Sequence, residues 1–563
     1  MLFQRYIPDK MHYDAKLRSL RAGDAELAHQ RQTGVPDGPH FSLVLFFRTA
    51  DAEHLLATLR SLEVQTYQNY SVCISAPRDG LVRHSDGKKL AVGSFLKEHS
   101  DTDRVHYFPV RPGTMRPAGI NIAVRHAEGD YLAFLESGDT LEADALFRAA
   151  LLIRTKKADL LYTDEDSMRD GRYFDPLLKP DFNLDLLRSE NYIGHLLIIR
   201  RALAAAAGGY RTAAGAGADY DFVLRCAERA RRPEHLAKPL YHACEGSRAF
   251  GRGRIAGTHT EDELRVLSEH LERCKLNGKP EAMKTEGCYH ISYSTGKLPR
   301  ISVIVMNSDD TATLKSCMES LEDAGYENLE VVIAEIGSRE RETFEYYETL
   351  SGKPNIRLVR WKRPWNAFKI RNYAAGFASG DFLLFLNPRL RGELSDDWLH
   401  EMVGVCARPG TGIVGGKIYY SDNRVRHAGY IIGKGEAAGT QFEGLSRGRN
   451  GYMNRAALLQ EISAVSEDCM MVRKSVFDDL SGFSGIYQDR YGDVDLCLRA
   501  AQKGWKVVFD PFAELFYEGD DTDPVFGASR ADAERFRADW GGLLEDGDPF
   551  YNKNFSIKKD YQL

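Results

Sequence analysis

No apolar run in this 563-residue chain reaches the roughly 18 to 20 residues that a bilayer crossing needs. The nearest, HLLIIRRALAAAAGGY at 195–210, is broken by Arg200 and Arg201. The opening stretch MLFQRYIPDKMHYDAKLRSL has no apolar core of signal-peptide type, so the chain is expected to stay in the cytoplasm. An excess of positive charge is also missing: 75 Lys and Arg against 81 Asp and Glu give a net charge of −6, no footprint for a nucleic-acid backbone. Nine cysteines without a CxxC pair read as reduced, buried thiols and not as a disulfide or zinc framework.

What the chain does have is a long internal repeat. GDYLAFLESGDT at 129–140 answers GDFLLFLNPRLR at 380–391, and FSLVLFF at 41–47 answers ISVIVMN at 301–307. RSLEVQTYQNYSVCISA, starting at 60, answers ESLEDAGYENLEVVIAE, starting at 319. Further on, LYTD (161–164), ADYDFVLR (218–225) and LYH (240–242) answer YYSD (419–422), GDVDLCLR (492–499) and LFY (515–517) in the same order. A unit this long is no solenoid repeat, so the pattern predicts two copies of one domain.

Within each copy, β-branched runs alternate with helical segments, the signature of βα units around a mostly parallel sheet. The expected boundaries are a polar helical arm over 1–40, a first domain over 41–250, a connecting helical linker over 251–298, a second domain over 299–520, and a helix with an extended tail over 521–563. In the linker, Thr260 and Glu263 form a candidate capping box, with Leu264, Leu267 and Leu271 on one face.

Ligands gather at the carboxyl ends of strands in open α/β sheets. Three polar features of the first copy would converge there: ESGD (136–139), DYD (219–221) opening a helix, and His242 closing PLYH. Carboxylates with an imidazole can hold a divalent cation that neutralises a diphosphate, and a further carboxylate can take a proton from a hydroxyl. Each residue also has a plain structural reading. Strand-end aspartates serve turns and N-caps, Asp221 and Asp495 can cap their helices, and a lone histidine can simply be a core residue.

The chain resembles the inverting family 2 glycosyltransferases of GT-A fold, of the tandem two-domain kind in bacterial cell-surface polysaccharide and O-antigen biosynthesis. The resemblance rests on QTYQNY (65–70), GDYLAFLESGDTLEADAL (129–146), LLYTDED (160–166), KPDFNLDLLRSENYIGHLLIIRR (179–201) and DYDFVLR (219–225). In the second half it rests on RHAGYIIG (426–433), DVDLCLRAAQKGWKVVFDPFAELF (493–516) and DPFYNKNFSIKKDY (548–561). It implies two tandem α/β domains of the nucleotide-diphospho-sugar transferase, Rossmann-like type. A nucleotide-sugar donor and a glycan or lipid-linked glycan acceptor are implied as partners, with peripheral contact at the inner membrane face. Residue by residue, Asp219 becomes the catalytic base of the first copy and Asp493 that of the second. Glu136, Asp139, Asp164, Asp166, Glu335 and Arg389 fall at nucleotide-sugar positions. Glu136, Asp139 and His242 become ligands of Mn or Mg in the first domain, with no metal expected in the second.

The departures from the family pattern are as informative. In the first copy Gly138 replaces the middle carboxylate of the metal motif, and Ser75 and Ala76 stand where a base-recognising acid is usual. The second copy keeps Glu335 and Asp493 but has NPR (387–389) for the metal motif and Tyr517 in place of His242. That second site is retired, or Arg389 or Arg391 supplies the charge a cation would otherwise bring, or the site takes a changed ligand. Two other functions stay in view. One is a catalytically degenerate binding or scaffold protein in a glycan-assembly complex. The other, a nucleotidyltransferase, is disfavoured by the missing glycine-rich phosphate loop with its lysine.

Overall fold

The computed structural model describes residues 10–47, 52–83, 87–244, 260–392, 397–520 and 529–563, with backbone alone at 10–12 and 260. The chain divides into two compact units. One comprises Met1–Lys275, Pro280–Tyr289 and Tyr561–Leu563, the other Leu276–Lys279 and His290–Asp560.

The sheet of the first unit runs Val105–Val110, Tyr70–Pro77, Phe41–Phe46, Tyr131–Leu135, Leu197–Arg200, Leu160–Arg169, Pro233–Cys244 and Thr140–Leu141. The first four are mutually parallel. Leu197–Arg200 is antiparallel to both neighbours, and Pro233–Cys244 is again parallel to Leu160–Arg169. The second unit repeats this order: Ile356–Arg360, Leu329–Glu335, Ile301–Asn307, Phe382–Leu386, Cys469–Arg473, Thr411–Tyr419, Lys506–Tyr517 and Leu390–Gly392. Its strand directions match as well. The expected fold class, two α/β domains with mostly parallel central sheets, is the one observed.

The segments FSLVLF, YLAFL and FLLFL are continuous apolar runs and form strands buried at every residue, the pattern of strands covered on both faces. Helix Ala52–Glu63 buries Leu55, Leu56, Leu59 and Leu62, and Thr311–Asp323 buries Leu314, Cys317, Met318 and Leu321, stripes near the helical period.

The repeated words are fold anchors. Gly129 and Gly380 sit so close to the first strand that an added Cβ would lie 2.6 and 2.7 Å from the backbone nitrogens of Ser42 and Ser302. The adjoining Asp130 and Asp381 accept the N–H groups of His40 and Arg300 at 2.9 Å each. Tyr67 and Tyr326 donate to the carbonyls of Pro39 and Pro299 at 2.7 Å. The common frame of the two strands is therefore set by packing.

Two helices, Lys10–Leu20 and Asp24–Thr33, precede the first sheet. Helix Thr260–Arg273 buries Val266, Leu267, His270 and Leu271, with Leu264 only half-buried. The Thr260 side chain of the expected capping box lies outside the described residues, as do 251–259. Glu263 is buried and accepts the Tyr289 hydroxyl. Strands Gly278–Ala282 and Tyr289–Tyr293 follow, so the stretch expected as helical linker is mixed. Helix Arg530–Asp546 lies near the C-terminus. No helix among the described residues is long and apolar enough to cross a membrane. All nine cysteines are unpaired and seven are buried.

Candidate active site

In the first unit, Tyr131–Leu135 delivers Glu136 to the strand end, where Arg116 meets it. The Arg116 guanidinium donates to Glu136 Oε1 through Nε at 3.0 Å and through Nη2, and to Asp219 Oδ1 through Nη1 at 2.6 Å. Helix Arg116–Arg125 thus bridges the expected base and the first carboxylate of the expected metal motif with one internal cation. Gly138 has φ +101°, and a Cβ there would sit 3.3 Å from Cys244 Cβ. A side chain at that position would be strained. Asp139 is fully buried and accepts the Tyr241 hydroxyl and the Cys244 N–H at 2.8 Å. Burial lifts its carboxyl to about 6.

His242 lies between two carboxylates, donating from Nδ1 to Asp166 at 2.6 Å and from Nε2 to Glu142 at 2.9 Å. Burial disfavours its charge, but Asp166 and Glu142 outweigh burial and raise the imidazole to about 9. At Asp166 burial wins and the carboxyl is raised; at Glu142 burial loses to His242 and Arg21 and the carboxyl is lowered. The common outcome is an imidazolium at neutral pH, with both ring nitrogens engaged as donors. Its stabilisation is present below the unfolded value of 6.5 and is lost as pH rises through about 9. His242→Gln should therefore cost about 3 kcal/mol at pH 6 and much less at pH 10, read by urea unfolding at the two pH values. An equal cost at both would show a neutral histidine.

Asp164 is also committed, accepting Lys179 N–H at 2.8 Å and His235 Nε2 at 2.9 Å. Lys179, the head of the KPDF signature, pairs with buried Glu165 at 3.0 Å and donates to His195 O at 2.6 Å. Asp221 receives Arg225, whose guanidinium also donates to Gly209 O at 2.7 Å. In the second unit Arg499 does the same between Asp495 and the carbonyls of Leu480 and Gly482. These two aspartates hold arginine clamps.

Glu136, Asp139 and His242 do not fit a divalent cation in this arrangement. Glu136 is spent on Arg116, Asp139 on Tyr241 and Cys244, and His242 on two carboxylates. Among the described residues, the one trio of His, Cys, Asp or Glu ligand atoms within 4.8 Å of one another is Glu228, His270 and Cys274. There Arg273 and Arg188 already bond to Glu228 and His270.

The second unit is built differently at the same place. Glu335, 5% exposed, ends Leu329–Glu335 and accepts Ser338 N–H at 2.6 Å, with Arg360 at 3.7 Å. Asn387 of NPR donates to Asp468 Oδ1 at 2.9 Å and caps Arg389 N–H at 3.0 Å. Arg389 is 41% exposed, 3.8 Å from Asp310. Arg391 donates to the Pro388 and Leu390 carbonyls and pairs with Glu518 at 3.0 Å, so it is a structural residue. Tyr517 lies under the Arg426 guanidinium, 4.1 Å from its ring centre. Asp493, buried in the first turn of Gly492–Gln502, accepts N–H from Val494 at 2.8 Å and from Glu467 at 3.3 Å.

Arg116, Glu467, Asp468 and Arg371 are absent from the sequence reading. For the two arginines the repeat frame held a signal. With Gly129 set on Gly380, Asn121 falls on Asn372, and both clamp equivalent loops, at Tyr210 and Phe483. In that frame the helix arginine stands at 116 in one copy and one turn later, at 371, in the other. Strand register further sets Ile198, opposite Ala133, on Met471, opposite Leu384, and so Gly194 on Glu467.

Comparison with known proteins bears on the second unit most directly. Residues 301–481 match the model of Glycosyl transferase family 2. The uncharacterized protein y4gI of Sinorhizobium fredii (strain NBRC 101917 / NGR234) is 31% identical over 97% of this chain and 60% of its own length. The O-antigen biosynthesis protein RfbC of Myxococcus xanthus is 33% identical over 76% of this chain and 34% of its own length. The chain thus spans 60% or less of either relative. Similar solved structures include the mannosyltransferase PcManGT from Pyrobaculum calidifontis in complex with GDP-Man and Mn2+, at 14% identity and TM-score 0.31, over 41% of this chain and 60% of that one. S. aureus TarS 1-349 in complex with UDP-GlcNAc is 16% identical with TM-score 0.32, over 42% of this chain and 66% of that one. By the family match, residues 301–481 are a family 2 glycosyltransferase domain, carried by the second of two units that share one strand order.

Proposed function

We propose that the chain transfers a sugar from a nucleotide-activated donor to a hydroxyl of a growing bacterial surface glycan, with inversion, and that the second unit performs the transfer. One observation carries the choice of unit. Asp219 is tied to a guanidinium at 2.6 Å, whereas Asp493, in the unit that the family model matches, is in no ion pair among the described residues. In this reading Glu335 faces the nucleotide and the half-exposed Arg389 faces the diphosphate, through the fork of donors that suits phosphate oxygens. Asp493 takes the proton of the acceptor hydroxyl as its oxygen bonds to the anomeric carbon. The bond from that carbon to the diphosphate breaks opposite the incoming oxygen, its electron pair leaves with the nucleoside diphosphate, and the configuration inverts.

RfbC, by its name a protein of O-antigen biosynthesis, supports a surface-glycan acceptor. A lipid-linked acceptor would bring the chain to the inner membrane face. The scaffold reading applies to the first unit, where Arg116 closes the acidic site. A thermal-shift screen of nucleoside diphosphates and their sugars, with and without manganese, tests the whole. At about 100 times its dissociation constant, the right nucleotide should add about 2.7 kcal/mol to the unit that binds it. Glu335→Ala should erase that gain. No response to any nucleotide would favour the scaffold reading for the whole chain.

A further inference from the structure

The carboxylates that disappear from NPR are not gone from the second unit. Strand Cys469–Arg473 runs antiparallel to Phe382–Leu386, with Cys469 opposite Leu386, so the chain just before it delivers Asp468 and Glu467 beside the NPR turn. Asn387 fixes Asp468 through two bonds, N to O at 2.8 Å and Nδ2 to Oδ1 at 2.9 Å. Glu467 then points at Asp493: its N–H reaches Asp493 Oδ2 at 3.3 Å and its carboxyl is within hydrogen-bonding reach of the Asp493 carboxyl. On the other side, Arg371 Nη2 lies 3.4 Å from Glu467 Oε1, with side-chain exposures of 11% and 15%. Asp468 on the same segment, Asp489 on the preceding loop, Tyr430 on Tyr430–Ile432 and Arg426 on Val425–His427 complete the charged and titratable surroundings.

Building on the assignment of Asp493 as base, we propose that Glu467 is its positioning residue. It holds a proton that it shares with Asp493, so that the pair carries one negative charge and Asp493 is aimed by a carboxyl O–H. Two carboxylates this close cannot both be ionised without cost, and a single shared proton removes it. Burial, and then the Asp493 charge, raise the Glu467 carboxyl well above 4.5 against the opposing pull of Arg371, in keeping with this. The first unit has no counterpart, because Gly194 stands at the position of Glu467 and leaves the base to Arg116.

The experiment compares Glu467→Gln and Glu467→Ala with the wild-type full chain in two ways. The first needs no substrate. A folded-state value raised above 4.5 means that the unfolded chain releases the proton first, so wild type loses stability as pH rises past about 4.5 while the glutamine variant does not. The melting midpoint of Glu467→Gln relative to wild type should rise from pH 5 to pH 8, and the rise should shrink in an Asp493→Asn background, where burial alone is left to hold the proton. A fall over that range would mean an ionised Glu467 paired with Arg371, and would overturn the proposal. The second assay follows donor turnover with UDP-GlcNAc and GDP-Man. Glutamine, which can still donate to Asp493, should keep kcat within about 3-fold. Alanine should lose about 10-fold or more in kcat at unchanged donor KM. Equal losses in the two variants, or none in either, would also overturn it. Should Asp493→Asn keep turning over donor while the pH response has the expected sign, the proton sharing stands and the base assignment alone fails.

Discussion

Asp493→Asn should lower sugar transfer by at least about 10²-fold with donor binding nearly unchanged, while Asp219→Asn should leave transfer within a few-fold. A general base must have an oxygen free to meet the acceptor hydroxyl, and Asp219 Oδ1 is already taken by the Arg116 guanidinium at 2.6 Å. Asp493 has a carboxyl neighbour and two backbone donors, which fix its geometry, and no guanidinium pairs with it among the described residues. The sequence puts Asp219 first as the base and Asp493 second; Arg116 argues for the reverse order. Transfer assays on both variants, with nucleotide affinity measured by calorimetry, check this. Full activity in Asp493→Asn together with loss in Asp219→Asn would return the chemistry to the first unit.

The second large effect is expected at Arg116 itself. Arg116→Ala leaves Glu136 and Asp219 facing each other without their shared cation, in surroundings where those side chains are 17% and 31% exposed. Breaking a fully buried pair costs about 3 to 5 kcal/mol, and partial solvent access reduces this to about 2 to 3 here. For a unit of this size that is a fall in melting midpoint on the order of 5 to 10 °C, read by calorimetry. Arg116→Lys should recover only part of it, since an ammonium cannot span both carboxylates with the same fork. A midpoint unchanged in Arg116→Ala would mean that the ion pairs are solvent-screened and the first site is open.

The sheet, its repetition and the strand ends were legible because they follow from short-range patterns: apolar runs, Gly-Asp junctions and tyrosines at fixed places. Side-chain commitments were harder to read. Glu136 and Asp139 carry the right chemistry for a cation in any linear reading. Whether they are available depends on an arginine 20 residues upstream and a tyrosine 102 residues downstream. His242 likewise appears as a lone imidazole until the fold sets Asp166 and Glu142 on either side of it. Glu467 was invisible for the converse reason. It belongs to no repeated word, and its importance comes only from the antiparallel strand that sets it against the NPR turn.

The two carboxylates gripping His242 have other partners on the opening helix and at its end: Tyr13 donates to Asp166 and Arg21 to Glu142. The first helix is therefore a stopper in the mouth of the first sheet, not an appendage beside it. A molecule bound for Asp166 or Glu142 would have to expel Tyr13 and Arg21 first. Cutting the chain back to the first strand at Phe41 would uncork that mouth and leave buried Asp166 and half-buried Glu142 short of a partner each.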